Sequence, residues 1–223
     1  MPRPRGKKDK KLKPVLHIYC EGLKTEPNYI NAYIDEFHPG VRPLKVIEIE
    51  PTKKNTPVQL VKEAVSKKND SSVPKHDIFW VVYDRESEAK YSKALHQTAY
   101  DKACAHGVKV AFSNVCFEVW LLLHFVGSTA CYSSFDNLMN ESPLKKKLEE
   151  VGIKSYEKGA DDLFGYIKEG VDDARRRAKR MNEDALSSCE RADSPPYLLN
   201  PYTDFHLLLD EIDDFVDKNL KKK

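Results

Sequence analysis

The 223-residue chain is 40% hydrophobic and 32% charged, which fits a globular protein with a substantial core and excludes a disordered chain. Its net charge of +2 conceals an uneven distribution: residues 1–13 hold seven Lys/Arg and one Asp, Lys221 to Lys223 add three more, and residues 14–220 keep 27 basic and 34 acidic side chains, a net of −7. No apolar run approaches the ~20 residues of a membrane span, the basic N-terminus lacks the apolar stretch of a secretory signal, and five scattered cysteines (Cys20, Cys104, Cys116, Cys131, Cys189) without a CxxC pair argue for a reducing cytoplasm and against a zinc site or disulfide framework.

Residues 1–13 lack hydrophobic periodicity and read as a flexible basic tail, either solvated or able to follow a phosphate backbone. Residues 14–126 read as an α/β core. Val15 to Cys20 is a first strand, and Thr25 to Phe37 a helix with Tyr29, Ile30, Tyr33, Ile34 and Phe37 at helical spacing and Pro27 in its first turn. Leu44 to Ile49 alternates as a second strand. Thr56 caps and Pro57 opens a helix to about Lys68. Ile78 to Tyr83 is continuously apolar and so a central strand buried on both faces. A helix from about Glu88 to Ala105 ends before Gly107, and Val108 to Phe112 is a fourth strand. This alternation predicts a parallel sheet flanked by helices.

Residues 127–220 read as a helical region packed on that core. Phe117 to Phe125 is a short, very apolar helix at the junction. Leu144 to Val151, Ala160 to Tyr166 and about Gly170 to Leu186 follow, then a break at Ser194-Pro195-Pro196. Thr203 caps a last amphipathic helix with Leu207, Leu208, Ile212 and Phe215 facing inward. Lys221 to Lys223 form a basic C-terminal tail.

The chemistry gathers at strand ends. Glu21-Gly22 follows the first strand and Asp84-Arg85-Glu86 the third; Ser113-Asn114 closes the fourth, with Glu118 at the start of the apolar helix. In a parallel sheet all of these meet at the C-terminal edge, the usual place for ligands and catalysis in open α/β sheets. Carboxylates there suit Mg²⁺, which takes oxygen ligands from a few acids plus water or phosphate. Asp84 and Glu86 point the same way if the extended path persists. Gly22 permits a tight turn that presents Glu21. Each feature has a plainer reading: Glu21 as a helix-capping or surface acid, Asp84-x-Glu86 as a polar loop favouring a helix dipole, and His124 as a hydrogen-bonded core histidine, which is the preferred reading for that residue.

Three stretches together resemble the RloB-like family. They are Cys20-Glu21-Gly22-Leu23-Lys24-Thr25-Glu26-Pro27-Asn28-Tyr29, then Ser113-Asn114-Val115-Cys116-Phe117-Glu118 on to Phe125, then Asn200-Pro201-Tyr202-Thr203 with His206 and Leu207. They occur in the family's order across nearly the whole chain. The resemblance implies a TOPRIM-like fold, with a Glu after the first strand and a DxD after the third. Glu21 matches the first acid and Asp84 the second. Glu86 stands where an Asp is usual, keeping the charge on a longer arm. Val115 stands where Pro is common, a change expected to matter little.

The resemblance further implies a prokaryotic antiphage defence protein of the abortive-infection kind, often found with a partner ATPase. Its expected activity is metal-dependent phosphodiester hydrolysis, with RNA, transfer RNA included, favoured over DNA as substrate. Glu21, Asp84 and Glu86 are the expected ligands of Mg²⁺ or Mn²⁺. Glu118 is expected to bind a second ion or act as general base, and Lys24, Arg85 and Asn114 to contact phosphate or substrate. The basic stretch Arg175-Arg176-Arg177 with Lys179 and Arg180 is either a nucleic-acid grip or a solvated helix face paired with Asp172 and Asp173. The rival reading is a non-catalytic or regulatory subunit of a defence complex. No membrane partner is expected, and an oligomer is compatible with the pattern.

Overall fold

The computed structural model describes residues 13–54, 56–189, 191 and 193–220; the tails expected at 1–13 and 221–223 lie outside these, apart from Lys13. Five strands, β1 (Leu16–Cys20), β2 (Ile47–Ile49), β3 (Ile78–Asp84), β4 (Lys109–Asn114) and β5 (Tyr202–Thr203), form one sheet in the order β2-β1-β3-β4-β5. The first four are parallel and β5 joins β4 antiparallel. The helices α1 (Thr25–Phe37), α2 (Pro57–Lys68) and α3 (Lys93–Ala105) connect the parallel strands, as crossovers between parallel neighbours must. Thr56 caps α2 by accepting from the Gln59 N–H, with Pro57 in the first turn.

Both faces of the sheet are covered, which is why β1 and β3 are apolar almost throughout. On one face Tyr19, Phe79, Val81, Tyr83 and Phe112 pack on Leu60, Val61, Ala64, Ala99 and Ala103 of α2 and α3. On the other, Leu16, Ile18, Cys20, Trp80 and Val82 share a larger core with α1 and with helices of the second half. These are α4 (Glu118–Leu123), α5 (Phe135–Glu141), α6 (Leu144–Glu150), α7 (Leu163–Ile167), α8 (Val171–Ser187) and α9 (Phe205–Asn219). Tyr29 of α1 is the hub of that core: its ring meets Phe117, Trp120, Phe164 and Phe205 edge-on. Its hydroxyl bonds His124 Nε2 at 2.9 Å, and His124 Nδ1 lies 3.0 Å from the Trp120 carbonyl. His124 is therefore a satisfied core histidine.

Several elements depart from the pattern read in the sequence. The strand expected from Leu44 starts only at Ile47, because Arg42–Leu44 is a 3₁₀ turn containing Pro43 and Lys45 is left-handed (φ 50°). The helix expected from Glu88 starts at Lys93; Ser92 caps it by accepting from the Leu95 N–H, and Ser87 to Tyr91 form a turn instead. The region expected to be wholly helical supplies the edge strand β5. Thr203 lies in that strand, not at the helix cap, and its hydroxyl bonds Ser113 Oγ at 2.9 Å. Leu207 faces solvent (45% exposed), whereas Leu208, Leu209, Ile212 and Phe215 are buried. α5 carries too short a periodic run to stand out in the sequence. The peptides Asn114–Val115 and Asn200–Pro201 are cis.

Leu207 and Leu208 are neighbours with opposite surroundings, so truncating them should separate cleanly. Leu208→Ala is expected to cost about 2–5 kcal/mol in a denaturant titration and Leu207→Ala less than ~0.5 kcal/mol. Equal losses would place α9 in a different rotation.

Candidate functional site

The C-terminal ends of β1 and β3 carry the acids where the sheet register puts them. Cys20 pairs with Val82 in the β1–β3 ladder, and the Glu21 N–H extends it by donating to the Val82 carbonyl. Glu21 thus emerges one step before Asp84, beside it. A cavity of about 230 Å³ opens there, lined by Glu21, Glu26, Asp84, Glu86, Glu118, Lys90 and Lys158, with Gly22, Thr25, Tyr91 and Phe117. Five carboxylates face two lysines in that small volume.

Three of the five acids are oriented by a neutral donor. The Tyr91 hydroxyl donates to Glu21 Oε1 at 2.9 Å, the Phe117 N–H to Asp84 Oδ2 at 3.0 Å, and the Tyr156 hydroxyl to Glu118 Oε1 at 2.9 Å. The turn that delays α3 is what brings Tyr91 to Glu21. Lys158 Nζ stands 3.6 Å from the same Glu118 oxygen, while Glu118 Oε2 is buried with no hydrogen-bond partner. Such an atom marks a place where a cation or donor belongs.

Burial and crowding favour the protonated forms of Glu21, Asp84 and Glu26. Desolvation pushes Glu21 up to about 7. It also pushes Asp84 well above the usual carboxylate range, reinforced by the neighbouring charges of Glu26, Glu118 and Glu21. Glu26 is raised for the same two reasons, burial first and Glu118 second.

Glu86 reaches the cavity by a different route from the one expected. The extended path ends at Asp84; Glu86 is left-handed (φ 55°), and its N–H donates to the Val115 carbonyl. Asp84 and Glu86 therefore leave the strand in different directions, and the Glu86 carboxylate pairs with Lys90 at 2.8 Å.

The residues expected to contact phosphate or substrate sit elsewhere. Arg85 is buried and its Nη1 donates to the Tyr91 carbonyl, so it braces the loop. The Asn114 side chain donates to the Leu199 carbonyl, tying β4 to the segment before β5. Lys24 is exposed and packs over Gly159. The cations at the cavity are Lys90 and Lys158. Of the basic stretch on α8, Arg175 bonds Tyr33 and Asp213, Arg176 pairs with Asp173, and Arg177 holds the Leu123 carbonyl and Asp173. That favours the paired-face reading for Arg176 and Arg177, while Arg175 is tied across to α1 and α9.

Sequence reasoning passed over Glu26, Tyr91, Tyr156 and Lys158. Glu26 had a signal: a side chain on Gly22 would collide with its carboxylate, so the Gly22–Glu26 spacing encodes a close approach. Gly22 has no left-handed backbone angle, and a side chain there would push the Glu26 carboxylate aside. The other three come from a loop turn and a distant connection, which spacing does not reveal.

No three of the five cavity carboxylates bring ligand atoms within 4.8 Å of one another; among the described residues the set that does so is His17, Glu48 and Glu50. No helix is long and apolar enough to cross a membrane among the described residues. The family model described as RloB-like protein matches residues 16–212, most of the chain. No curated protein and no solved structure matches.

The raised acids fix the sign of a pH dependence. Below about pH 4.5 Glu21 is protonated folded and unfolded; above about 7 it is ionised in both. Its burial penalty therefore grows as pH rises through that window, to on the order of 3 kcal/mol. In chelator, Glu21→Gln should stabilise the protein at about pH 8 in urea titrations and lose that advantage near pH 4.5. An advantage independent of pH would contradict the assignment.

Proposed function

Since this chain belongs to the RloB-like family, we propose that its acidic cavity is a metal-dependent phosphodiesterase centre acting on nucleic acid in prokaryotic antiphage defence, with RNA favoured over DNA. The observation that carries this reading is the joint placement of Glu21, Glu26, Asp84 and Glu118 in one small cavity, with Glu118 Oε2 unpaired. An all-oxygen donor set with surplus negative charge fits Mg²⁺ or Mn²⁺.

Glu21 and Asp84 would hold the ion, with Glu118 and Glu26 completing the shell or holding a second. Glu86, already paired with Lys90, is assigned a supporting part. When bound, the ion supplies Lewis-acid polarisation of the phosphoryl oxygen and a water of lowered pKa. The protein's own groups do the rest. Tyr91 and the Phe117 N–H fix the directions of Glu21 and Asp84. Lys158 offsets charge gathering on the phosphate, a task the sequence had given to Lys24 and Arg85. A second reading, a non-catalytic subunit held by a partner ATPase, is favoured by one observation: the carboxylates are not drawn to ligating separations. Copurification with an ATPase and no cleavage by either the free or the bound protein would support it.

The test is cleavage of labelled RNA and DNA in Mn²⁺ by the full chain. Glu21→Ala and Asp84→Ala are each expected to lower the rate more than ~100-fold, since losing even an outer-shell partner of a metal costs about 10–100-fold. Lys158→Ala should lower it less. Activity undiminished in both acid variants and in chelator would overturn the proposal.

A further inference from the structure

A second cluster of metal-binding side chains lies away from the acidic cavity, on the sheet face that carries Tyr19 and Phe79. His17 is paired with Glu48 in the β1–β2 ladder, so their side chains stand side by side. The Glu50 N–H continues that ladder onto the Ile18 carbonyl. Glu50 is two residues beyond Glu48 and so shares its face. His17 is buried and stacks on Phe79 with ring centroids 4.6 Å apart, which fixes the plane of the imidazole.

Its two nitrogens have distinct neighbours. Nε2 lies 3.2 Å from Asp77 Oδ2, and Nδ1 lies 2.5 Å from Glu50 Oε1. Asp77 is buried, and its other oxygen accepts from the Val15 N–H at 3.0 Å, so its position is set by the backbone. A histidine that donates from one ring nitrogen to a fixed carboxylate presents the other as a ligand; metal-bound histidines almost always donate their second ring N–H to a carboxylate, a backbone carbonyl or water. Glu48, partly exposed, makes no hydrogen bond or ion pair among the described residues. One ligand atom from each of His17, Glu48 and Glu50 lies within 4.8 Å of the others. Donors about 2.1 Å from a shared tetrahedral Zn²⁺ sit roughly 3.4 Å apart, so Glu50 draws back from Nδ1 while Glu48 closes in.

We propose that His17, Glu48 and Glu50 form a second divalent-cation site, with Asp77 as its positioning residue. One imidazole with two carboxylates suits Zn²⁺ or a similar first-row ion, whereas the all-oxygen cavity suits Mg²⁺ or Mn²⁺. Three protein ligands leave a fourth position for water. β2 is the edge strand and only three residues long. An ion there ties it to β1 and, through Asp77, to the start of β3.

The test uses the full chain carrying Glu21→Gln and Asp84→Asn, which keeps the outcome separate from that of the proposed nuclease centre. Calorimetric titration with Zn²⁺, and Co²⁺ absorption as a spectroscopic probe, are expected to give one tight equivalent and a Zn²⁺-dependent rise in melting temperature. Adding Glu48→Gln should weaken binding at least ~10-fold while leaving the metal-free melting temperature unchanged. Asp77→Asn keeps an acceptor for the Val15 N–H and offers His17 a donor in place of an acceptor. It should weaken binding about 10–100-fold. No Zn²⁺ binding, or binding unaltered by Glu48→Gln, would overturn the proposal and leave His17 as an imidazolium held between Glu50 and Asp77.

Discussion

Like charges in a small cavity repel, and the repulsion among Glu21, Glu26, Asp84 and Glu118 is the constraint around which this end of the molecule is arranged. Carboxylates at the end of a parallel sheet lose hydration without gaining cations from the sheet itself. The surroundings answer in two ways. Neutral donors, namely the hydroxyls of Tyr91 and Tyr156 and the Phe117 N–H, are aimed at single oxygens. Protons are retained, with Glu21 held up to about 7 by burial and Asp84 raised well above the usual carboxylate range by burial and its neighbours. Proton retention suppresses the charge only until the pH rises and those protons leave; the excess charge then returns. The site is stable enough to persist and is left with a demand for positive charge that an ion can meet.

The second half of the chain is part of that arrangement. Tyr156 and Lys158 reach Glu118 from the connection between α6 and α7. The aromatic cluster on Tyr29 locks α1, which carries Glu26, against α4, which carries Glu118. The third family stretch acts at a distance. Thr203 pairs with Ser113 and the Asn182 side chain bonds both the Thr203 N–H and carbonyl, so β5 clamps the strand that leads into α4. None of Asn200 to Thr203 lines the cavity. Residues that mark the family thus divide into those that form the cavity and those that hold its walls in register.

Much of this was legible in the sequence where local physics decides. The uninterrupted apolar run of β3 announced a strand covered on both faces, and Thr56-Pro57 and Gly107 placed helix ends through capping and a left-handed turn (φ 61° at Gly107). Glu21 and Asp84 stood at strand ends, and the family resemblance added to that position made them the expected ligands. What was not legible depends on tertiary contact. Arg85 was expected to offset charge on a phosphate, but its guanidinium is turned to the Tyr91 carbonyl. Asn114 sits at the right edge and is taken by Leu199. Lys158 lies far from any strand end in sequence, so only the folded chain brings it to Glu118. Chain direction at a strand end can be read from pattern; side-chain allegiance one or two residues past it cannot.

The cavity between β1 and β3 is proposed to bind a divalent cation through Glu21 and Asp84. Anomalous diffraction from crystals of the full chain soaked in Mn²⁺ tests it most directly. A peak is expected within about 2–2.3 Å of carboxylate oxygens from both residues, with the Glu118 side chain turned toward it. A crystal at saturating Mn²⁺ with no peak in that cavity, and with the carboxylates in their present hydrogen bonds, would contradict it.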